Sequence, residues 1–128
     1  MSPRKIMVVD DEADIRELLS RGLTKAGYQV KTAASAEDAL AMLEKDKHWV
    51  FFLDLKLPGM NGIELCKRIR EENPMVISYA VTGHAGLFEV FECRGAGFED
   101  YYTKPVELKT VLAAAEQAFE KLARWKKG

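Results

Sequence analysis

Short apolar runs alternate along this chain with stretches whose apolar residues recur every three or four positions, and no internal repeat or linker interrupts the pattern. No other property narrows the accessible folds as much. A short apolar run bounded by turn signals has the length of a buried strand, whereas three-four recurrence buries one face of a helix. "KIMVV" reads as the first strand. In "ADIRELLSRGLTKAG", Ile15, Leu18, Leu19, Gly22, Leu23 and Ala26 fall on one inward helix face, and Gly27 closes the helix. "YQVKTA" is a second strand. "SAEDALAMLEKD" is a helix with Ser35 three residues before Asp38, close to a capping box. "WVFFLD" is apolar on both faces, as a parallel strand covered by helices on both sides is. "NGIELCKRIREEN" is a helix that ends at Asn73-Pro74. "MVISYAVTG" is a fourth strand, "LFEVFECRGAG" the weakest helix and "DYYTK" a short fifth strand. Pro105 opens the strongest helix, with Leu108, Val111, Leu112, Ala115, Phe119, Leu122 and Trp125 as its stripe.

Five strands alternating with five helices imply βαβ units, right-handed crossovers and one parallel sheet, an α/β doubly wound architecture. At 128 residues the chain suits a single domain spanning residues 1–128, with its core at about 5–122. Open sheets of this kind bind ligands outside the carboxyl ends of their strands, at the topological switch point. That edge is also where the polar residues of this sequence gather. Asp10 and Asp11 end the first strand, Asp54 the third, Thr82 the fourth and Lys104 the fifth.

Composition removes several classes of function. A formal net charge of −1 offers no bulk attraction for nucleic acid or an anionic membrane. The one basic cluster, "ARWKKG", reads as a solvated helix end. No apolar run is long enough to cross a membrane, and "MSPRKIMVVDDE" lacks the long apolar region of a secretion signal. Cys66 and Cys93 sit in helices without metal-ligand spacing and read as reduced packing residues, which fits a cytoplasmic location.

The chemistry of the strand ends follows from their charges. Three neighbouring carboxylates repel one another, and a hard divalent cation such as Mg²⁺ relieves the repulsion. An ammonium can pair with a carboxylate or a phosphoryl oxygen, and a threonine hydroxyl can donate to the same group. A carboxylate beside a bound cation can act as a nucleophile and form an aspartyl phosphate. Taken singly, the Asp10-Asp11 pair is more often a solvated turn or helix cap, and Lys104 and Thr82 are ordinary loop and strand-end residues. Asp54 is the most telling, because an unpaired carboxylate at the end of an apolar strand is costly.

"VVDDE", "LDLKLPGMNG", "VTGH" and "YYTKP", in this order, resemble the receiver domain of two-component response regulators, over roughly Lys5 to Leu122. The resemblance implies a flavodoxin-like (βα)5 fold with strand order 2-1-3-4-5. It implies that Asp54 is the phosphoacceptor, and that Asp11, Asp54 and the backbone carbonyl of Lys56 hold Mg²⁺ directly while Asp10 helps through water. Thr82 and Lys104 would bind the phosphoryl group. Tyr101, three residues before Lys104, would be the switch aromatic; its other reading is a half-buried strand residue at the sheet edge. Lys56 and His84 occupy positions that tune phosphoryl lifetime in the family, and are otherwise exposed loop residues. Two features depart from the family pattern. Gly97-Phe98 stands where Gly-Ala is common, and the fourth helix is unusually apolar. In that helix Leu87, Val90 and Phe91 fit one inward face, while Phe88 is off it, either exposed without consequence or part of a partner surface.

The expected function is a phosphorylation-activated switch that takes its phosphoryl group from a sensor histidine kinase or a phosphotransfer protein. Such a chain assists its own labelling and hydrolysis but is not an enzyme with turnover on an outside substrate. Its output would be a downstream protein partner, an output domain absent from this sequence, or a homodimer through the fourth helix, fifth strand and fifth helix, with no direct nucleic-acid contact. Two other readings are a Mg²⁺-dependent aspartyl-phosphate phosphohydrolase and a phosphate-independent interaction module. The hydrolase would have an acid two residues after the nucleophile, where this chain has Lys56. The module would have degraded site residues, and these are intact.

Overall fold

The computed structural model describes residues 3–83 and 86–127, apart from the side chains of Leu87, Phe88 and Lys127. The expectation for His84 and those for the Leu87 and Phe88 side chains lie outside these described residues. The elements follow as β1 (Lys5–Val9), α1 (Ala13–Lys25), β2 (Gln29–Ala33), α2 (Ala36–Lys45), β3 (Val50–Leu53), α3 (Gly62–Glu72), β4 (Ile77–Thr82), α4 (Leu87–Ala96), β5 (Asp100–Thr103) and α5 (Leu108–Lys127). All pairings are parallel, and the strand order is β2-β1-β3-β4-β5. The order reverses between β1 and β3, so their carboxyl ends flank the crevice at which such sheets bind ligands.

Period-two alternation divides the strands between two cores. Met7, Val9, Phe51 and Leu53 pack with Ala39 of α2, Leu65 and Cys66 of α3, and Cys93 of α4. Ile6, Val8, Val50 and Phe52 pack on the other face with Leu19 and Leu23 of α1 and Val111 and Ala115 of α5. Because both faces are covered, β3 is buried at every position and must be apolar throughout. Phe51 and Phe52, next to each other in sequence, therefore enter opposite cores, each burial stabilising the fold by roughly 1.5–3 kcal/mol. Ser35 caps α2 by accepting the Asp38 N–H at 3.2 Å, and Asn61 caps α3 by accepting that of Glu64 at 2.9 Å.

Several positions depart from the periodic reading. Leu18 is 47% exposed and Ala26 is exposed, so the inward face of α1 is the narrower set of Leu19, Gly22 and Leu23, with Gly22 close against Leu108 and Ile15 packed at the margin. Among the described side chains of α4, Cys93 and Ala96 face the sheet. Phe91 precedes Cys93 by two residues, about 200° around the helix, and points away at 65% exposure. Trp125 extends the stripe of α5 but is 64% exposed, because the core on that side ends at Leu122. Pro105 does not open α5: it sits in the preceding loop, with a cis peptide bond to Lys104, and the helix begins at Leu108. Phe98 is buried in the α2–α3–α4 core, which gives the Gly97-Phe98 departure a packing role.

Candidate functional site

Strand register assembles the site. Val9 lies beside Leu53, and Leu53 beside Ala80, so the residues that follow β1 and β3 emerge together at one edge. Asp10 and Asp54 are these next residues, and the Asp54 N–H donates to the Val9 carbonyl at 2.8 Å. Thr82 pairs with Thr103 at the ends of β4 and β5, and the Lys104 N–H donates to the Thr82 carbonyl at 2.7 Å. Asp10, Asp54 and Thr82 are buried, whereas Asp11 is exposed at the mouth.

The Asp10, Asp11 and Asp54 side chains each offer an oxygen, and these oxygens lie within 4.8 Å of one another. A set of hard anionic oxygens at this spacing suits a divalent cation such as Mg²⁺. The Lys104 ammonium counters the cluster. Its Nζ lies 2.7 Å from Glu12 Oε2, 3.0 Å from Asp10 Oδ2 and 3.2 Å from Asp54 Oδ2. Burial alone would push the Lys104 pKa down, but its bonds to Glu12 and Asp10 and the charges of Asp10 and Asp54 overcome this and hold it above the usual lysine value. Burial pushes the Asp10 carboxyl up, aided by the Asp54 charge and opposed by the Glu12 N–H and Lys104.

The loop after β3 fixes Asp54. Its Oδ1 accepts the Lys56 N–H at 3.1 Å, while the buried Leu55 and Leu57 anchor the loop on either side of the exposed Lys56. Gly62 opens α3 against this turn, and its N–H donates to the Leu55 carbonyl at 3.0 Å. A Cβ at Gly62 would lie 2.1 Å from the Asp54 carbonyl oxygen, so only glycine lets the helix start so close to the acid. Glu37 of α2 accepts the Met60 N–H at 3.1 Å, and that bond holds its carboxyl below the usual value. Beside the acids lies an open cleft of about 570 Å³, lined in part by Asp11, Lys56, Asn61, Glu89 and Glu92.

Tyr101 pairs with Ala80 and Tyr102 with Val81, so the two tyrosines face opposite sides of the sheet. Tyr102 stacks on Tyr79 at 6.0 Å in the α1–α5 core. Tyr101 lies on the side of Ala80 and Thr82, 38% exposed, beside a cleft of about 300 Å³ between α4 and β5. Three polar contacts at the site carried no recognisable signal in the sequence: Glu12 on Lys104, Arg16 donating to the Asp10 carbonyl at 2.7 Å, and Glu37 on the loop.

The family model for the response regulator receiver domain matches residues 6–116. The chain belongs to the response regulator receiver family. A receiver domain protein (CheY-like) of Methanospirillum hungatei JF-1 has a solved structure 33% identical to this receiver, with a TM-score of 0.87 and 98% of each chain covered. The BeF3-activated DrrB receiver domain superposes with a TM-score of 0.86 at 32% identity, covering 93% of this chain and 99% of that one. The alkaline phosphatase synthesis transcriptional regulatory protein PhoP of Bacillus subtilis (strain 168) is 38% identical over 86% of this receiver. The transcriptional regulatory protein FixJ of Rhizobium meliloti (strain 1021) is 34% identical over 95% of it. The receiver spans 46% of PhoP and 60% of FixJ. Among the described residues no helix is long and apolar enough to cross a membrane.

Proposed function

We propose that this receiver is a phosphorylation-activated switch in which Asp54 accepts a phosphoryl group from a histidine kinase or phosphotransfer protein. The observation that carries the reading is the meeting of Asp10, Asp11 and Asp54 with Lys104 at the carboxyl edge of the sheet. In this proposal a carboxylate oxygen of Asp54 attacks phosphorus, the bond from phosphorus to the donor nitrogen breaks, and the leaving imidazole retains the electron pair and takes a proton. Mg²⁺, held by Asp11, Asp54 and the Lys56 carbonyl with Asp10 acting through water, would neutralise the carboxylates and the phosphoryl oxygens. Lys104 orients the phosphoryl group by its ammonium, and Thr82 donates its hydroxyl to the same group.

The signal is then read on the α4–β5–α5 face. Thr82 moves toward the phosphoryl group, Tyr101 turns inward toward the α4–β5 cleft, and the balance between two packings shifts. Support for this comes from Tyr101 and Thr82 sharing one side of the sheet, and from the exposed Phe91 on α4. That surface would meet a downstream protein, an output domain or a second copy. PhoP and FixJ are both named as transcriptional regulators, which fits an output domain of that kind in a longer protein. Lys56 and His84 would tune phosphoryl lifetime, and a cytoplasmic location belongs to the same proposal. Incubation with acetyl phosphate and Mg²⁺ should add one phosphoryl mass to the intact chain, and Asp54→Asn should abolish the adduct. Equal labelling of that variant would overturn the assignment.

A further inference from the structure

The carboxylate nearest to the Lys104 ammonium is Glu12, at 2.7 Å, rather than Asp10 or Asp54. Glu12 is 92 positions away in sequence, and its side chain is 59% exposed at the mouth of the site. It also occupies the N-cap position of α1, with extended backbone and no side-chain hydrogen bond to the helix. Ser, Thr, Asp and Asn, the residues favoured at this position, spend their side chains on the first-turn N–H groups, a role the longer glutamate does not take. Here that side chain crosses to the end of β5 instead, while the Glu12 N–H donates to Asp10 Oδ1 at 2.9 Å.

We infer that Glu12 competes with the phosphoryl group for Lys104 and so sets how tightly the acceptor holds its load. The inference rests on the phosphoacceptor reading of Asp54. A cation held by Asp10, Asp11 and Asp54 weakens the pull of Asp10 and Asp54 on the ammonium. Glu12 lies outside that acidic cluster and keeps its pull, so the ammonium is divided between Glu12 and the incoming phosphoryl oxygens. Glu12 is a positioning residue: it acts through Lys104 and forms no bond to phosphorus.

Beryllium fluoride with Mg²⁺ serves as a non-reacting phosphoryl mimic, with affinity read by calorimetric or amide-shift titration. Glu12→Gln should tighten binding about two- to fivefold, the range of a partly exposed ion pair. The gain should shrink when Lys104 is replaced by Met, because only direct repulsion by the Glu12 charge then remains. Glu12→Asp keeps the charge but shortens its reach, so competition predicts a gain approaching that of Glu12→Gln and direct repulsion predicts none. Equal gains with and without Lys104, no gain in Glu12→Gln, or weaker binding would each overturn the proposal. If binding to the native chain is absent, or is unchanged by Asp54→Asn, the phosphoacceptor reading itself fails. That outcome is distinct from binding that depends on Asp54 but ignores Glu12.

Discussion

Replacing Gly62 with Ala tests the close approach of α3 to the Asp54 loop. The new Cβ would sit 2.1 Å from the Asp54 carbonyl oxygen, 2.8 Å from its carbon and 2.9 Å from the Leu55 Cα. All three are backbone atoms, so no side chain can swing aside. Reaching the ~3.0 Å limit of real contacts requires a shift of about 0.9 Å between the helix and Asp54. Overpacking of this kind costs roughly 1–3 kcal/mol, and a backbone obstacle belongs at the upper end. Alanine recovers up to about 1 kcal/mol of helix propensity. The net loss is about 1–2 kcal/mol, which for a chain of this size lowers Tm by about 4–8 °C. A displacement near 1 Å at a reacting group can cost about 100-fold in rate. Labelling by acetyl phosphate should therefore slow by about ten- to a hundredfold. Gly95→Ala, in α4 with open space at its Cβ, is the control and should be neutral or slightly stabilising. A Gly62→Ala chain that melts and labels like the control would refute the reasoning.

Lys104→Met removes the cation that Asp10 and Asp54 share, and should cost about 1.5–3 kcal/mol by urea unfolding without Mg²⁺. Added Mg²⁺ should recover more stability in this variant than in the native chain, and an equal recovery would count against the shared-charge account. Burial lowers the His48 pKa below its ordinary 6.5, against the opposing pull of Asp46. The unfolded chain therefore takes up the proton first, so stability is full above about pH 6.5 and falls as pH drops toward the folded-state pKa. Urea midpoints should fall more steeply in the native chain than in His48→Gln over this window, and parallel profiles would contradict the assignment. Burial pushes the Cys66 thiol up to about 11 and raises that of Cys93, so iodoacetamide should label both only after unfolding.

The cluster of acids and lysine was legible because parallel register turns strand ends into spatial neighbours. Once β1 and β3 were read from their apolar runs and β5 from the short "DYYTK" stretch, Asp10, Asp54 and Lys104 had to share an edge. The periodic signal was weaker at element ends. It specifies a direction around a helix but not where the neighbouring core stops, which is why Trp125 and Phe91 read as buried and are not. Pro105 carried a helix-start signal that serves equally for a loop. The Glu12–Lys104 and Glu37–Met60 contacts join residues 92 and 23 positions apart and depend on side-chain reach, which no spacing rule encodes.

The central claim is that Asp54 carries an acyl phosphate that forms only with a divalent cation present. Borohydride reduces an aspartyl phosphate to homoserine, so labelling with acetyl phosphate, reduction and peptide mapping read the modified position directly. The account predicts homoserine at position 54 when Mg²⁺ is present and none when it is chelated. Homoserine at another aspartate, or an equal yield at position 54 without the cation, would contradict it.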